Sequence, residues 1–338
     1  MKKPDAAPVL ELIDAFRKSK TMFTAQTLGV FDLLEHHPQP LAALAAATHT
    51  KAEPLQRLLE ACVCLGLLER TGDEFRNSEL SQAYLVRSSP DTLAGYVKYS
   101  DEALYPMWAH LSDALREGTH RWQQTFGLSG NALFEHFFHS DDAMHTFLRG
   151  MHGFGMLSSP AVVRAFDLSR FRHVVDLGGG TGHLAIAACE RYPRLRATLF
   201  DLPRVTAFAR NILAKSPVAD RVDCLDGDFF HDPLPAADLY AMGRIVHDWS
   251  EEKIALLLAR IAASLPTGGG LLIAEKLLAE DHSGPLHAHM QSLNMLVCTE
   301  GRERDLSAFT KLLHKAGFGD VQGKVTGQPL DAVLAIKA

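Results

Sequence analysis

The chain has 338 residues, of which 47% are hydrophobic and 22% charged, and its formal net charge at pH 7 is −6. That length exceeds one typical hydrophobic core and predicts two domains. Nucleic acids and anionic membranes select basic patches, so a mildly acidic chain is a poor candidate for either partner. Five cysteines without the spacing of a disulfide framework favour reduced thiols and a cytoplasmic location. No apolar run has the length of a signal peptide core or a membrane span, so we expect neither.

The first part of the chain predicts helices followed by a hairpin. Helical periodicity covers Ala7–Leu34 with a break at Gly29, and its wide apolar face suits either core or a second subunit. Helices over Leu41–Ala47 and Glu53–Glu69 come next, and Arg70–Arg76 reads as a hairpin with Gly-Asp at its tip. This is a winged-helix arrangement, which raises DNA binding as an alternative. The helix that would contact DNA has too little positive charge for phosphate contacts, which disfavours it.

The region from Leu93 to Phe171 predicts several helices rich in aromatic residues, most of them core and a minority suited to an apolar pocket. After it, strands alternate with helices, which predicts an α/β fold with a parallel sheet. The predicted strands are His173–Leu177, Ala197–Asp201, Val222–Leu225, Leu239–Ile245 and Leu271–Lys276, with a closing hairpin of Val321–Val325 and Asp331–Ile336. The clearest helices are Glu251–Leu265 and Leu306–Ala316. We expect domains over residues 1–92, 93–170 and 171–338.

A glycine-rich turn follows the first of these strands, which ends near Asp176. Such a turn lets backbone N–H groups approach a ligand, and dinucleotides and S-adenosylmethionine both use it. A dinucleotide fingerprint that starts at Gly178 needs a third glycine where His183 stands. The spacing of Gly178, Gly180 and Gly182 after an acidic strand end favours S-adenosylmethionine. A purely structural turn is the alternative.

Polar residues also follow the next strands, where open α/β sheets bind their ligands. Asp201 ends the second strand and suits ribose hydroxyls, or else caps the following helix. Gly227, Asp228 and Phe229 follow the third strand and either bracket an adenine ring or form a simple loop. Arg244 lies at the end of the fourth strand and either neutralises a cofactor carboxylate or pairs with an acid.

His247 lies just beyond the fourth strand, where a neutral imidazole can accept a proton near pH 7. A single histidine is more often structural, so its neighbours decide its interpretation. Glu275 ends the fifth strand and Glu303 lies in a charged loop. Either carboxylate could hold one imidazole nitrogen and stabilise the protonated ring. Asp248 has a structural explanation as well, since with Glu251 it forms the pattern of a capping box.

These residues together resemble the class I S-adenosylmethionine-dependent O-methyltransferases with two domains, a family that includes plant caffeate and vertebrate acetylserotonin (hydroxyindole) enzymes. The resemblance covers essentially the whole chain and is strongest to the acetylserotonin branch. The motifs that carry it are Leu28–Leu34, Asp176–Gly182, Phe200–Pro203, Gly227–Phe230, Arg244–Trp249, Ser292–Val297 and Thr299–Arg304. It implies a Rossmann-like domain with a mostly parallel seven-stranded sheet, after a winged-helix-like domain that forms a homodimer.

The resemblance also implies the chemistry: transfer of a methyl group from S-adenosylmethionine to the hydroxyl of a small aromatic acceptor, without a metal. It makes His247 the general base, flanked by Glu275 and Glu303. The cofactor-binding residues that it implies are Asp176, Gly178, Gly180, Asp201, Leu202, Gly227, Asp228, Phe229 and Arg244. The acceptor-binding residues that it implies are Tyr99, Phe147, Asp248, Asn294, Met295 and Cys298.

The sequence departs from the acetylserotonin branch in two places. Cys298 stands where those enzymes usually have a glutamine, and Gly153 and Gly155 replace bulkier residues of the pocket. Both differences predict a different or roomier acceptor pocket, and the acceptor itself is not specified by the sequence. Two alternatives of other classes are a non-catalytic binding protein of the same fold and an NAD-dependent oxidoreductase.

Overall fold

The computed structural model describes residues 3–128 and 133–338 and divides into two units, Met1–Ala103 and Leu104–Ala338. Met1 and Lys2, at the start of the predicted first domain, lie outside the described residues. The first unit ends at Ala103, beyond the predicted domain boundary at residue 92. The predicted division into three parts stays a prediction. None of the helices formed by the described residues combines the length and apolar character needed to cross a bilayer.

The first unit consists of helices and a small antiparallel sheet, as predicted. Its helices are α1 (Ala7–Thr27), α2 (Val30–Leu33), α3 (Leu41–Ala47), α4 (Ala52–Cys64), α5 (Glu79–Tyr84) and α6 (Ala94–Tyr99). Its strands are β1 (Gln39–Pro40), β2 (Leu68–Thr71) and β3 (Glu74–Asn77), in the order β1-β3-β2. The predicted hairpin is the β2–β3 pair, in which Thr71 lies opposite Glu74.

Two glycines in left-handed conformation set the helix ends in this unit. Gly29 has a φ of 74° and separates α1 from α2, which confirms the predicted break. The predicted helix over Glu53–Glu69 is wrong at its end, because α4 stops at Cys64 and Gly66 has a φ of 71°. A left-handed residue ends a helix, and from Leu68 on the chain forms β2 instead.

The amino-terminal half of α1 leaves its apolar side chains in solvent. Val9, Leu10, Leu12, Ile13 and Phe16 are between 53% and 77% exposed. An apolar patch of this kind on one helix marks an interaction surface. Of the two uses that the sequence left open for the face over Ala7–Leu34, burial in the unit's own core holds for its second part, where Phe23, Phe31 and Leu34 are core residues. The exposed first part is the part left for a second subunit.

The second unit contains a seven-stranded sheet in the order β11-β12-β8-β7-β4-β5-β6. Its strands are β4 (His173–Leu177), β5 (Arg196–Asp201), β6 (Val222–Asp226), β7 (Leu239–Gly243), β8 (Gly270–Glu275), β11 (Phe318–Lys324) and β12 (Asp331–Lys337). Strand β12 is antiparallel to both of its neighbours, β11 and β8, and the other six strands all run in one direction. The short strands β9 (Leu277–Leu278) and β10 (Arg304–Asp305) form a separate parallel pair. The predicted α/β fold with a mostly parallel sheet and a closing hairpin is confirmed.

Helices precede the sheet and alternate with its strands. They are α7 (Tyr105–Trp108), α8 (Leu111–Glu117), α9 (Trp122–Phe126), α10 (Leu133–Phe137), α11 (Asp141–Arg164), α12 (His183–Arg191), α13 (Pro203–Leu213), α14 (Glu251–Ser264), α15 (Leu286–Cys298) and α16 (Leu306–Lys315). The central strands are buried because helices cover both of their faces.

The fourth predicted strand is shorter than expected. It was predicted to reach Ile245, but β7 ends at Gly243 and a 3₁₀ turn covers Val246–Asp248. The cause is Arg244, whose φ of 58° turns the chain out of the extended conformation. This turn carries His247 to the edge of the sheet at which the parallel strands end.

Candidate active site

The turn between β4 and α12 is shaped by three glycines with positive φ angles. These are 64° at Gly178, 59° at Gly180 and 81° at Gly182. A Cβ on Gly178 would lie 2.6 Å from Ile245, and one on Gly182 would lie 3.0 Å from Leu199. Above Gly180 the space is open, since the nearest atom would be 4.0 Å from such a Cβ. A ligand can therefore approach the backbone at Gly180.

Asp201, at the end of β5, forms a hydrogen bond with the backbone of this turn. Its Oδ2 accepts a hydrogen bond from the backbone N–H of Gly180 at 2.8 Å, and its Oδ1 accepts one from Leu202 at 2.7 Å. Burial raises the pKa of this carboxyl to about 6. The alternative prediction of a helix cap is wrong, because Leu202 is the N-cap of α13 and no side chain caps it. Each carboxylate oxygen keeps a lone pair for a ligand.

Two of the predicted cofactor residues support the backbone around the turn. Asp176 is buried, and its Oδ2 accepts a hydrogen bond from the backbone of Ala185 at 3.2 Å. A Cβ on Gly179 would lie 2.7 Å from the carboxyl carbon of Asp176, and a Cβ on Gly227 would lie 2.3 Å from the ring of Phe200. Burial raises the pKa of Asp176 to about 7. Asp176 and Gly227 thus pack tightly against other protein atoms, Asp176 against Gly179 and Gly227 against Phe200.

Asp228 and Phe229 lie in the loop after β6. Asp228 accepts a hydrogen bond from the backbone of Phe230 at 2.8 Å, and its other oxygen is 2.8 Å from Nδ1 of His231. A Cβ on Gly178 would lie 3.1 Å from the ring of Phe229. The structure therefore brings this aromatic ring against the glycine turn, while the carboxylate of Asp228 takes part in its own loop.

Arg244 has an uncommon backbone conformation for a residue with a side chain. Besides its φ of 58°, its N–H donates to the carbonyl of Ala274 at 3.0 Å, and its guanidinium carbon lies 4.6 Å from the ring centroid of Phe154. Left-handed residues other than glycine are costly and cluster at functional sites.

His247 is the centre of a buried group of acidic residues. The residue is 2% exposed, and its Nδ1 lies 2.6 Å from Oε1 of Glu303. Its backbone N–H donates to Oε1 of Glu275 at 3.0 Å, and its Nε2 is 3.7 Å from Oδ1 of Asp248. The remaining oxygens of Glu275 and Glu303 are buried without a hydrogen-bond partner among the described residues. The structure therefore brings the three predicted catalytic residues together.

The electrostatics of this group favour a protonated imidazole. Burial lowers the pKa of His247, but the carboxylates of Glu303, Asp248 and Glu275 outweigh it and raise this pKa to about 9. Burial raises the pKa of Glu275 to about 7 and that of Asp248 to about 6, against the opposing charge of His247. The ring thus holds a proton tightly, and Glu303 compensates its charge.

The same three side chains are close enough to bind a metal ion. Their ligand atoms lie within 4.8 Å of one another, which no other group of three such residues does in the described part of the chain. The 2.6 Å separation between His247 and Glu303 is that of a charge-assisted hydrogen bond, so the group has a function without a metal. That the enzyme needs no metal stays a prediction.

The predicted capping box at Asp248 is wrong. Helix α14 is capped by Ser250, whose hydroxyl oxygen accepts a hydrogen bond from the backbone of Lys253 at 3.4 Å. The carboxylate of Asp248 is instead buried beside His247. Its structural explanation therefore fails, and it remains a candidate for a ligand contact.

Helix α15 carries three of the predicted acceptor residues, and all are buried. Asn294 accepts a hydrogen bond from Nε1 of Trp108 at 2.8 Å, and Met295 lies beside it in the chain. The thiol of Cys298 donates to the carbonyl of Asn294 at 2.9 Å, while the carbonyl of Cys298 accepts from Trp122 at 2.9 Å. The two tryptophans were not singled out by sequence, because each contact spans more than 170 residues.

The other two predicted acceptor residues lie apart in sequence. Phe147, on α11, belongs to an aromatic cluster and has ring centroid distances of 4.9 Å to Phe137 and 6.0 Å to Phe138. Tyr99 is a buried residue of the first unit. Its contact with an acceptor stays a prediction.

Two histidines beside the glycine turn received no role from the sequence. Nδ1 of His183, the first residue of α12, lies 2.9 Å from Oγ of Ser159, and Nδ1 of His152 lies 2.8 Å from Oγ1 of Thr181. A Cβ on Gly155 would lie 2.3 Å from the ring of His183. The imidazole thus fills the space beside Gly155. That the acceptor pocket is different or roomier stays a prediction. The sequence feature that could have identified His183 is its position directly after the glycine turn.

Comparison with known proteins gives the family. Residues 10–87 match the model of the O-methyltransferase dimerisation domain, and residues 108–319 match that of the O-methyltransferase domain. The chain is 42% identical to the acetylserotonin O-methyltransferase of Gallus gallus over 335 residues, which cover 97% of this chain and 96% of that protein. For the enzyme of that name from Homo sapiens the identity is 42% over 330 residues, with coverages of 96% and 95%.

A solved structure agrees with these sequence matches. The crystal structure of human N-acetylserotonin methyltransferase in complex with SAM has a TM-score of 0.95 to this chain at 40% identity. The match covers 100% of this chain and 99% of that one. The resemblance predicted from the motifs is confirmed, and the chain belongs to the S-adenosylmethionine-dependent O-methyltransferases that carry an amino-terminal dimerisation domain.

Proposed function

We propose that this enzyme transfers the methyl group of S-adenosylmethionine to a hydroxyl of a small aromatic acceptor, with His247 as the general base. The observation that carries the proposal is the buried His247–Glu303 pair, 2.6 Å apart, near the end of β7. Acetylserotonin, named in the similar relatives, is an aromatic hydroxyl compound, which supports this acceptor class.

The residues around the glycine turn fit the cofactor. The open space above Gly180 leaves room for its amino-acid end, and the free lone pairs of Asp201 suit its ribose hydroxyls. The ring of Phe229, against the turn, offers a face for the adenine. When bound, S-adenosylmethionine supplies an electrophilic methyl group.

The chain's own task is to remove the acceptor proton. A phenol with a pKa of about 10 is ionised to only about one part in a thousand at pH 7. Nδ1 of His247 faces Glu303, so Nε2 is the nitrogen that takes the proton. Glu303 stabilises the imidazolium that forms, and a base pKa of about 9 lies close to that of the phenol. Such proton transfer contributes roughly 10²–10⁴-fold to the rate.

We propose further that the acceptor contacts the predicted pocket residues and that the enzyme is a homodimer. The acceptor residues are Tyr99, Phe147, Asp248, Asn294, Met295 and Cys298. The exposed apolar face of α1 and the match to a dimerisation domain support the homodimer. A cytoplasmic location and the absence of nucleic-acid or membrane partners stay predictions.

Calorimetry followed by an acceptor screen tests the proposed function. We expect binding of S-adenosylhomocysteine and none of NAD, which separates the methyltransferase from the oxidoreductase. Mass spectrometry with isotope-labelled cofactor would then detect transfer to phenols, hydroxyindoles or polyketide-like aromatics. Tight NAD binding would contradict the proposal, and cofactor binding without transfer to any of these acceptors would favour the non-catalytic alternative.

A further inference from the structure

Helix α11 bonds to the glycine turn through two histidine–hydroxyl pairs. His152 and Ser159 are seven residues apart, which places them on the same face of this helix. His152 bonds to Thr181 and Ser159 bonds to His183, two residues further along the turn. This arrangement presents two imidazoles where the turn enters α12.

The ring of His183 is buried between Ser159 and Gly155 of α11 and the end of β7. It is 9% exposed, Ser159 occupies its Nδ1, and the missing side chain of Gly155 leaves the space that the ring fills. Its Cε1 would lie 3.8 Å from a Cβ on Gly243, so this edge of the ring faces the end of β7. Its Nε2 makes no hydrogen bond to any residue within 3–128 or 133–338.

Each hydroxyl group can donate to the Nδ1 beside it, which places the proton of a neutral ring on Nε2. Ser159 and Thr181 have no other side-chain hydrogen bond in the described structure, so each hydroxyl can donate to the Nδ1 beside it. The opposite tautomer would leave both hydroxyl hydrogens unused. Burial lowers the pKa of His152, and it lowers that of His183 to about 3, with help from His152 and Arg244. Both pKa shifts favour the neutral ring, and a neutral ring that accepts a hydrogen bond at Nδ1 has its N–H donor at Nε2.

We propose that His183 and His152 bind the carboxylate at the amino-acid end of the cofactor through these Nε2–H groups. The inference rests on the proposed function, which brings S-adenosylmethionine to the turn. Two N–H donors beside the cationic Arg244 match a carboxylate, whereas an ammonium group would meet donors and positive charge only. The ribose and adenine already have candidate partners on other strands, at Asp201 and Phe229.

The test compares two ligands that differ in the amino-acid end. S-adenosylhomocysteine has it, and 5′-methylthioadenosine has the same nucleoside without it. His183→Phe keeps a ring in the space beside Gly155 and removes both nitrogens. By calorimetry we expect it to weaken S-adenosylhomocysteine at least about tenfold, the effect of losing a hydrogen bond to a charged group. Binding of 5′-methylthioadenosine should change by less than about twofold.

Three further variants make the test specific. His152→Phe should show the same ligand-dependent loss, and His183→Gln, which keeps a donor near the Nε2 position, should recover most of the affinity for S-adenosylhomocysteine. The matched control is His173→Phe at the start of β4, whose imidazole bonds to the hydroxyl of Thr198 at 2.9 Å. We expect this control to bind both ligands normally.

Equal weakening of both ligands by His183→Phe, or no weakening of either, would overturn the assignment. So would a His183→Gln variant that binds S-adenosylhomocysteine as weakly as His183→Phe. A wild-type protein that binds neither ligand would instead overturn the proposed function. Thermal melting of each variant without ligand separates loss of contact from loss of fold.

Discussion

At the scale of single residues, removal of the acceptor proton depends on the charge of His247. Its carboxylate neighbours more than offset the effect of burial, and their net effect raises its pKa to about 9. A base with a raised pKa is protonated below that pH and must lose its proton before it can accept one from the acceptor. The same carboxylates that strengthen the base thus limit the fraction that is active at neutral pH.

This gives a prediction for the pH dependence of kcat/KM. In the wild type it should rise with pH towards about 9. Glu303→Gln removes the first carboxylate that raises the pKa of His247, so the rise should move to lower pH while the maximal rate falls. The matched control is Glu300→Gln, whose carboxylate pairs with Lys253 at the surface. An unshifted profile in the Glu303 variant would contradict the role of this pair.

A second prediction at this scale concerns metal ions. The nitrogen of His247 that faces Glu303 is already engaged in a short hydrogen bond. We therefore expect methyl transfer to be unchanged after dialysis against a chelator and after addition of Mg²⁺ or Zn²⁺. Loss of activity on chelation, with recovery on adding one metal, would show that the buried group is a metal centre.

At the scale of elements, contacts between α11 and the glycine turn depend on Gly155. A methyl group there would collide with the ring of His183, and overpacking of this kind costs about 1–3 kcal/mol. Gly155→Ala should therefore lower the free energy of unfolding and weaken S-adenosylhomocysteine, as measured by denaturant titration and calorimetry.

The double variant Gly155→Ala with His183→Ala separates the two effects. Removal of the ring makes room for the new methyl group, so part of the stability should return. The affinity for S-adenosylhomocysteine should stay low, because the donor at His183 is gone. If the losses of stability of the two single variants were strictly additive in the double variant, Gly155 and His183 would not be packed against each other.

The fold was largely predictable from local pattern, whereas the detail of the site was not. Apolar runs predicted all seven strands of the large sheet, and the capping glycine Gly29 marked a helix end. Periodicity failed where one apolar run continued from a helix into a strand, as it does after Cys64.

The pairings in the site could not be predicted for a different reason. The space at Gly155 looked like added room because nothing local shows that His183, 28 positions later, fills it. Asn294 and Trp108 are likewise joined only by the tertiary structure. The motifs identified which residues meet at the strand ends, but not which hydrogen bonds they use.

At the scale of the whole molecule, the exposed face of α1 predicts assembly into a dimer. The apolar face of α1 is exposed in the single chain, and residues 10–87 match a dimerisation domain. A charged residue within an apolar interface costs several kcal/mol, so Leu12→Glu should convert the dimer to monomers in analytical ultracentrifugation. Leu12 is 77% exposed in the monomer, which keeps the substitution compatible with folding.

The matched control for assembly is Leu256→Glu. Leu256 is 53% exposed on α14, in the other unit, and should tolerate the same change without effect on the oligomeric state. Dimers that persist in the Leu12 variant, or a wild type that is monomeric at all concentrations, would contradict the proposed interface.

The most direct test of His247 as the general base is single-turnover methyl transfer by His247→Gln, together with the affinity of this variant for S-adenosylhomocysteine. Because His247 acts on the acceptor proton, we expect the affinity to remain within about twofold of wild type while the rate on a phenolic acceptor falls roughly 10²–10⁴-fold. A variant that transfers the methyl group at the wild-type rate would contradict the assignment of His247 as the base.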